Sequence, residues 1–426
     1  MARPDKDGRN ILATLALPEE YRLPLEKIDL SDASLHHRNV AKDYLARLRR
    51  EDPVHLCADS KFGPYWSITK FHDIMHVDMN HQLFSSAGSV VFDDNHFSGG
   101  NFENEIKKPS FIVSDPPFHT EQRRAVSPAL APGNILKLQD GIRQRARKTL
   151  DELPIGETFD WVNEVAVELT TQLLAILFDF PFEERRKLLF WSHVSVGFPG
   201  DGVVESWEHR SDALKDAGAH FLALREARRG QAGRPDLISM MANSESMRDM
   251  TGEQFVGNVF LLMVGGNDTT RNSMTASVLA MHQFPEQLAR LKGDPALLAS
   301  MVPEVIRWQS PVVYQRRTAT ADTEIRGKMI RKGDKVVMWY LSGNRDEDIY
   351  ENPDDFVIDR PNPRQHLSFG FGIHRCLGNR LAEMQLRILW EEILERFSRI
   401  EVMGEPERIN SNVLRGYTAL PVRLHR

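Results

Sequence analysis

The stretch FGFGIHRCLG, Phe369 to Gly378, sets one of the chain's two cysteines among three glycines and directly after His374 and Arg375. Glycine at this density suits a tight turn whose backbone N–H groups can approach the Cys376 sulfur. Such donors stabilise a thiolate. So does the positive end of a helix dipole, and the helical periodicity of Asn379 to Arg396 places a helix start just beyond the sulfur. The loop is therefore expected to favour an anionic sulfur, and three uses compete for it. Zinc would need further Cys or His at short spacing, which these surroundings lack. A nucleophile would need a base with an orienting partner, and only His374 is near. A haem iron needs a single cysteine from the protein. Cys57, with no comparable setting, reads as core.

Working outward, 426 residues with 41% hydrophobic and 27% charged content make an ordinary globular composition, large enough to bury a cofactor. No Gly/Ser linker, low-complexity tract or fixed repeat divides the chain, so residues 1–426 are expected to form one domain. The N-terminal apolar run, Ile11 to Leu17, is far shorter than the ~20 residues of a membrane helix. Neither signal peptide nor membrane anchor is expected, and two cysteines suit a reducing cytoplasm. A net charge of -6 gives no overall basic field, which argues against nucleic acid as a partner.

Periodicity predicts a small α+β beginning, with a helix over Ala41 to Arg50 and a strand over Tyr65 to Thr69. A Gly/Ser/Asn-rich stretch, Ser85 to Asn101, reads as a mobile loop. Helices then dominate, among them Trp161 to Phe178, Asp212 to Arg229 and Pro285 to Lys292. Phe255 to Val264 is apolar all round, as in a helix buried on every side. Short strands such as KVVMWYL and a coiled meander occupy Val312 to Arg360, and GYTALPVRLHR reads as a terminal hairpin.

The run Phe369-Gly-x-Gly-x-His-x-Cys-x-Gly378 resembles the haem-binding loop of the cytochrome P450 superfamily at every specified position. The resemblance extends over nearly the whole chain. It implies a mainly α fold with a small β-rich lobe, a triangular single domain enclosing haem b, with Cys376 as the axial iron ligand. The segment GGNDTT, Gly265 to Thr270, puts two glycines inside a helix at roughly 1 kcal/mol each against alanine, a sign that something sits against the backbone there. Thr269 is placed to bond the Gly265 carbonyl one turn earlier, and Asp268 supplies an acid beside it. This is similar to the family's oxygen-activation segment, in which an acid–alcohol pair relays protons. Glu304 and Arg307, three apart on one helix face, with Arg360 as the resemblance's third member, imply a lock under the cysteine loop. His119, Arg123, Arg317 and His374 match the family's propionate-binding positions, and Phe369 its cofactor-contacting phenylalanine.

The wording VGGNDTTRNSMT, IRWQSP, GDKVVMWY, SGNRD and PRQHLSFGFGIHRC further resembles a soluble bacterial subfamily that hydroxylates the terminal carbon of medium-chain alkanes and fatty acids. That implies O2 as co-substrate, and an iron–sulfur ferredoxin with an NAD(P)H-dependent reductase as electron donor. The donor is expected to dock over Cys376 where Arg123, Arg124, Arg143, Arg145, Arg147, Lys148, Arg375 and Arg380 gather. Matching the family's substrate-contact positions points to Val91, Phe92, Leu261, Val264, Val313, Val413 and Leu414, with Val90 to Phe92 as a lid. Three rivals stay open: a P450 acting on a terpenoid or steroid, a peroxygenase, which usually dispenses with the acid–alcohol pair, and a haem-binding sensor without turnover.

Overall fold

The computed structural model describes residues 22–92, 110–197, 199, 203–231 and 233–426. The apolar run Ile11 to Leu17 and the greater part of the stretch from Ser85 to Asn101 lie outside them. Helix predominates, and seven helices frame the site: α1 (Phe71–Met79), α2 (Phe118–Val126), α3 (Glu168–Phe178), α4 (Arg186–Val196), α5 (Gly252–Gln283), α6 (Leu298–Gln309) and α7 (Asn379–Arg396).

Helix α5 runs 32 residues, about 48 Å at 1.5 Å per residue. A capping box starts it: the Gln254 N–H donates to the Thr251 hydroxyl, and the Thr251 N–H donates to the Gln254 side chain. It packs against α3, α4, α6 and α7, which makes it the axis of the molecule. Phe255, Val256, Val259, Phe260 and Met263 are buried as the apolar run predicts. Leu261, Leu262 and Val264 are only half-buried, so the helix is not closed in on every side.

The β-rich lobe is a five-stranded sheet in the order β1 (Val54–Cys57), β2 (Tyr65–Ile68), β5 (Lys335–Met338), β4 (Gln315–Ala319), β3 (Phe84–Ser85). Only β2 and β5 run parallel. Cys57 is buried in this lobe. The predicted terminal hairpin is not one. Tyr417–Ala419 pairs with Glu407–Arg408, whereas Pro421–His425 is the middle strand of another sheet, between Thr158–Asp160 and Arg399–Val402. Leu420 separates the two strands, and its N–H donates to the Asp160 carboxylate instead of closing a turn.

Beneath the cysteine loop, the fully buried Glu304 carboxylate accepts two N–H bonds from Arg307, both at 2.7 Å, and one from Arg360 Nε at 3.1 Å. Both guanidiniums also donate to meander carbonyls, at Pro353 and Asp355 for Arg307 and at Glu351 and Asp355 for Arg360. Asn344 and Ser368 carry the network onward to the loop, since Ser368 Oγ donates to the Ile306 carbonyl of α6 and Asn344 Oδ1 accepts the Leu367 N–H.

Candidate active site

The cysteine loop turns twice through left-handed backbone, at Gly370 and Gly372, both at φ +64°. A side chain there would be strained, and a Cβ on Gly372 would overlap the Asp78 carbonyl oxygen. The Cys376 N–H closes the turn onto the Phe369 carbonyl at 2.7 Å. The thiol then faces a cavity that α5 closes from another side. Cys376 is exposed because it lines that cavity. The N–H groups of Gly378 and Asn379 reach the sulfur, as the loop's composition led us to expect, and with Arg123 and Arg375 they pull the thiol's pKa down. Burial outweighs them, however, and in the protein alone the thiol stands above its ordinary value. A bound metal cation reverses that balance, because a coordinating thiol is deprotonated outright.

Opposite the sulfur, α5 presents Leu261, Leu262, Gly265, Gly266, Thr269 and Thr270 to the cavity. A Cβ on Gly265 would meet nothing within 4 Å, while one on Gly266 would come 2.9 Å from Leu174 of α3. The first glycine therefore opens the helix face to the cavity, and the second lets two helices approach closely. The Thr269 hydroxyl donates to the Gly265 carbonyl at 2.9 Å. Asp268 is not beside it in the cavity. Successive helical residues diverge by about 100°, and the Asp268 carboxylate points into the α4–α5 contact. There it pairs with Arg271 at 2.7 Å and accepts the Ser192 hydroxyl at 2.9 Å.

Nitrogen-bearing side chains collect beside the loop. Arg123 and His374 line the cavity, and the His119 ring is tilted against that of His374 with the centroids 4.3 Å apart. Both ring nitrogens of His119 and the Nε2 of His374 are buried without partners. Burial, followed by Arg123, holds the His119 pKa down at about 4. Burial, followed by Arg317, His119 and Arg123, holds His374 down at about 2. Arg317 does not line the cavity: its Nη2 is turned to the Asp78 carboxylate at 2.8 Å. A haem fits this donor set. One sulfur faces the cavity for the metal, and partnerless buried nitrogens amid like charges await an anion such as a propionate. Phe369 lines the cavity beside the sulfur.

Of the seven residues matched to substrate contacts, only Leu261 lines the cavity. Phe92 and Val313 are core of the β-rich lobe, with Val91 and Val413 packed against them. Phe92 sits among the rings of Phe62, Tyr65 and Tyr314, at 5.0, 4.7 and 4.8 Å, and its N–H donates to the Tyr314 hydroxyl. Val313 misses by one position: neighbours in extended chain face opposite sides, and it is Val312 that reaches the cavity. The backbone of Leu414 bridges to that of Val312, and neither Leu414 nor Val264 is among the residues that line the cavity. Instead the wall comes from Phe111, Ile112, Leu173, Leu174, Leu177 and Leu237. Nothing local in the sequence marks these, since their only shared property is a common destination. Among the described residues that line the cavity, Arg123 alone is charged.

The surface cations over Cys376 are fewer than anticipated. Arg143 and Arg147 are tied to Glu391 and Glu392 of α7, Lys148 faces Glu152, Arg145 lies over the Phe182 ring, and Arg123 donates inward to the Arg375 carbonyl. Arg124, Arg375 and Arg380 remain exposed. No helix among the described residues is long and apolar enough to cross a membrane.

A family model described as cytochrome P450 matches residues 295–420. The chain is 37% identical over 405 residues to a linalool 8-monooxygenase of Pseudomonas putida, covering 94% of this chain and 99% of that protein. It is 32% identical to a methyl-branched lipid omega-hydroxylase of Mycobacterium bovis, covering 90% and 91%. Among solved structures it is similar to CYP153D17 from Sphingomonas sp. PAMC 26605, at 45% identity and a TM-score of 0.87 over 93% of this chain and 99% of that one.

Proposed function

The chain belongs to the cytochrome P450 family, and on that premise we propose that this monooxygenase places one oxygen atom of O2 on the terminal carbon of a linear alkane or fatty acid. The observation that carries the reading is the cavity wall, built from leucine, isoleucine, valine and phenylalanine with no charge on the α5 side. Similarity to a protein named for omega-hydroxylation of a lipid supports it. Terminal C–H bonds are stronger than their neighbours, so such an outcome requires the wall to present only the chain end on the Thr269 side of the cavity.

The family's cofactor is haem b, which supplies oxygen activation and the oxidation of the C–H bond. In our reading the whole chain is one haem domain. Bound in this cavity, the haem would be held by Cys376 at the metal and by Arg123, His119 and His374 at its propionates, with Arg317 acting from behind them on Asp78, and Phe369 would give the macrocycle an apolar neighbour. Thr269 handles the proton: its own hydrogen goes to Gly265, which leaves its lone pairs to accept from a group in the cavity. Asp268 stands behind it on the α4 side, where Arg271 and Ser192 hold its carboxylate, as the group through which protons would be relayed. Electrons arrive from an iron–sulfur ferredoxin and its NAD(P)H-dependent reductase, with Arg124, Arg375 and Arg380 as the cations that meet an acidic partner.

A terpenoid alcohol is the second reading, favoured by the 37% identity to a linalool 8-monooxygenase. Turnover with octane, dodecanoic acid and linalool, followed by chromatographic product analysis, separates the two. Terminal alcohols from the linear substrates support the first. In-chain alcohols, or conversion of linalool alone, overturn the terminal assignment and leave the monooxygenase intact.

A further inference from the structure

Asp78, next to the end of α1, belongs to no motif, yet it is 3% exposed and three other segments converge on its carboxylate. Arg317 of β4 donates Nη2–H to Oδ1 at 2.8 Å. The Tyr340 hydroxyl donates to Oδ2 at 2.9 Å, and the N–H of Phe371, inside the cysteine loop, donates to the same oxygen at 2.7 Å. The loop is moulded on this residue as well: a Cβ on Gly370 would lie 3.2 Å from Asp78 Oδ2, and one on Gly372 would overlap the Asp78 carbonyl oxygen.

The pair with Arg317 is 1% exposed on both sides. Burying two charges is costly unless their remaining hydrogen-bond capacity is filled. Here both carboxylate oxygens are occupied, Oδ1 by Arg317 and Oδ2 by Tyr340 and the Phe371 N–H, and the other Arg317 terminal nitrogen donates to the Gln315 side chain and the Arg316 carbonyl. The guanidinium is thereby fixed in direction by Asp78, Gln315 and the Arg316 carbonyl.

We propose that Asp78 is a positioning residue for the haem. One carboxylate sets the backbone of the cysteine loop through the Phe371 N–H, and it sets the charge met by the propionate edge by neutralising Arg317. Its removal leaves an unpaired buried cation, which favours the electron-richer ferrous state, and it releases one anchor of the loop that carries Cys376.

The inference rests on the haem-thiolate reading, and the test keeps the two apart. Asp78→Asn, which preserves shape and removes the charge, is compared with Tyr340→Phe, which removes a donor and no charge, in the holoenzyme. Spectroelectrochemical titration gives the haem midpoint potential, and transfer to apomyoglobin gives the rate of haem loss. D78N moves the potential positive and speeds haem loss about tenfold, the equivalent of ~1.4 kcal/mol, while Y340F keeps the parental potential. Parental potential and parental haem loss in D78N overturn the proposal, and an equal potential shift in Y340F overturns its charge part. Should D78N not accumulate as folded protein, the double variant D78N/R317Q, which strands no charge, replaces it. Faster haem loss then supports the anchoring role and a parental rate overturns it. A parent enzyme whose reduced carbon monoxide complex lacks the band that gives the family its name sinks the haem-thiolate reading instead.

Discussion

Thr269 and Leu261 lie two turns apart on α5, and both face the cavity, yet they govern different outcomes. Replacing Thr269 with alanine removes the one hydroxyl on that face bonded to the Gly265 carbonyl, and with it the group placed to pass a proton. Groups in such roles contribute ~10²–10⁴-fold. In T269A, substrate binding followed by the spectral shift should stay within about twofold of the parent. Product formed per NAD(P)H consumed should fall at least about tenfold, with peroxide taking up the difference. Leu261→Ala instead widens the wall. Because Leu261 is only half-buried, the change should cost less than the ~2–5 kcal/mol of a core Leu→Ala. Octane should then yield in-chain alcohols at the expense of the terminal one, and an unaltered product ratio would show that Leu261 does not steer the chain end.

At the scale of elements, the junction of α6 with the meander depends on one carboxylate. Glu304→Gln leaves two buried guanidiniums, Arg307 and Arg360, without their anion, and breaking such a pair from one side costs ~3–5 kcal/mol. The urea midpoint of E304Q should drop accordingly, while the correctly folded fraction keeps the parental reduced carbon monoxide spectrum. Glu304 and Arg307 could be read ahead of the structure because they are three residues apart on one helix, and the cysteine loop because its chemistry is contiguous. Reading failed where contacts depend on facing. Asp268 adjoins Thr269 in sequence but points away from it, Val313 differs from Val312 only by the side of an extended chain, and Phe92 found an aromatic box assembled from residues 62, 65, 314 and 339. The cavity wall and Asp78 left no trace in the sequence, since each gathers segments far apart along it.

For the molecule as a whole, acid sensitivity has a named contributor. His36 is buried, its Nε2 lies 2.9 Å from the Leu30 carbonyl, and desolvation lowers its pKa from 6.5 to about 4. The folded value lies below the unfolded one, so the unfolded chain takes the proton first. Stability is therefore lost as pH falls from about 6.5, with the loss complete near pH 4 and amounting to about 3 kcal/mol at ~1.4 kcal/mol per pH unit. Unfolding free energies of His36→Gln measured at pH 7 and pH 5 should differ less than those of the parent. The sheet whose middle strand is Pro421–His425 has a consequence of another kind. Translation delivers the two outer strands first, Thr158–Asp160 by more than two hundred residues, and the strand that joins them afterwards. Until it emerges from the ribosome, Arg399–Val402 and Thr158–Asp160 present open edges to one another and to neighbouring nascent chains. Crowded polysomes are thus where this protein is most exposed to aggregation, and a chaperone on the nascent chain would raise the yield of folded enzyme without any change to its sequence.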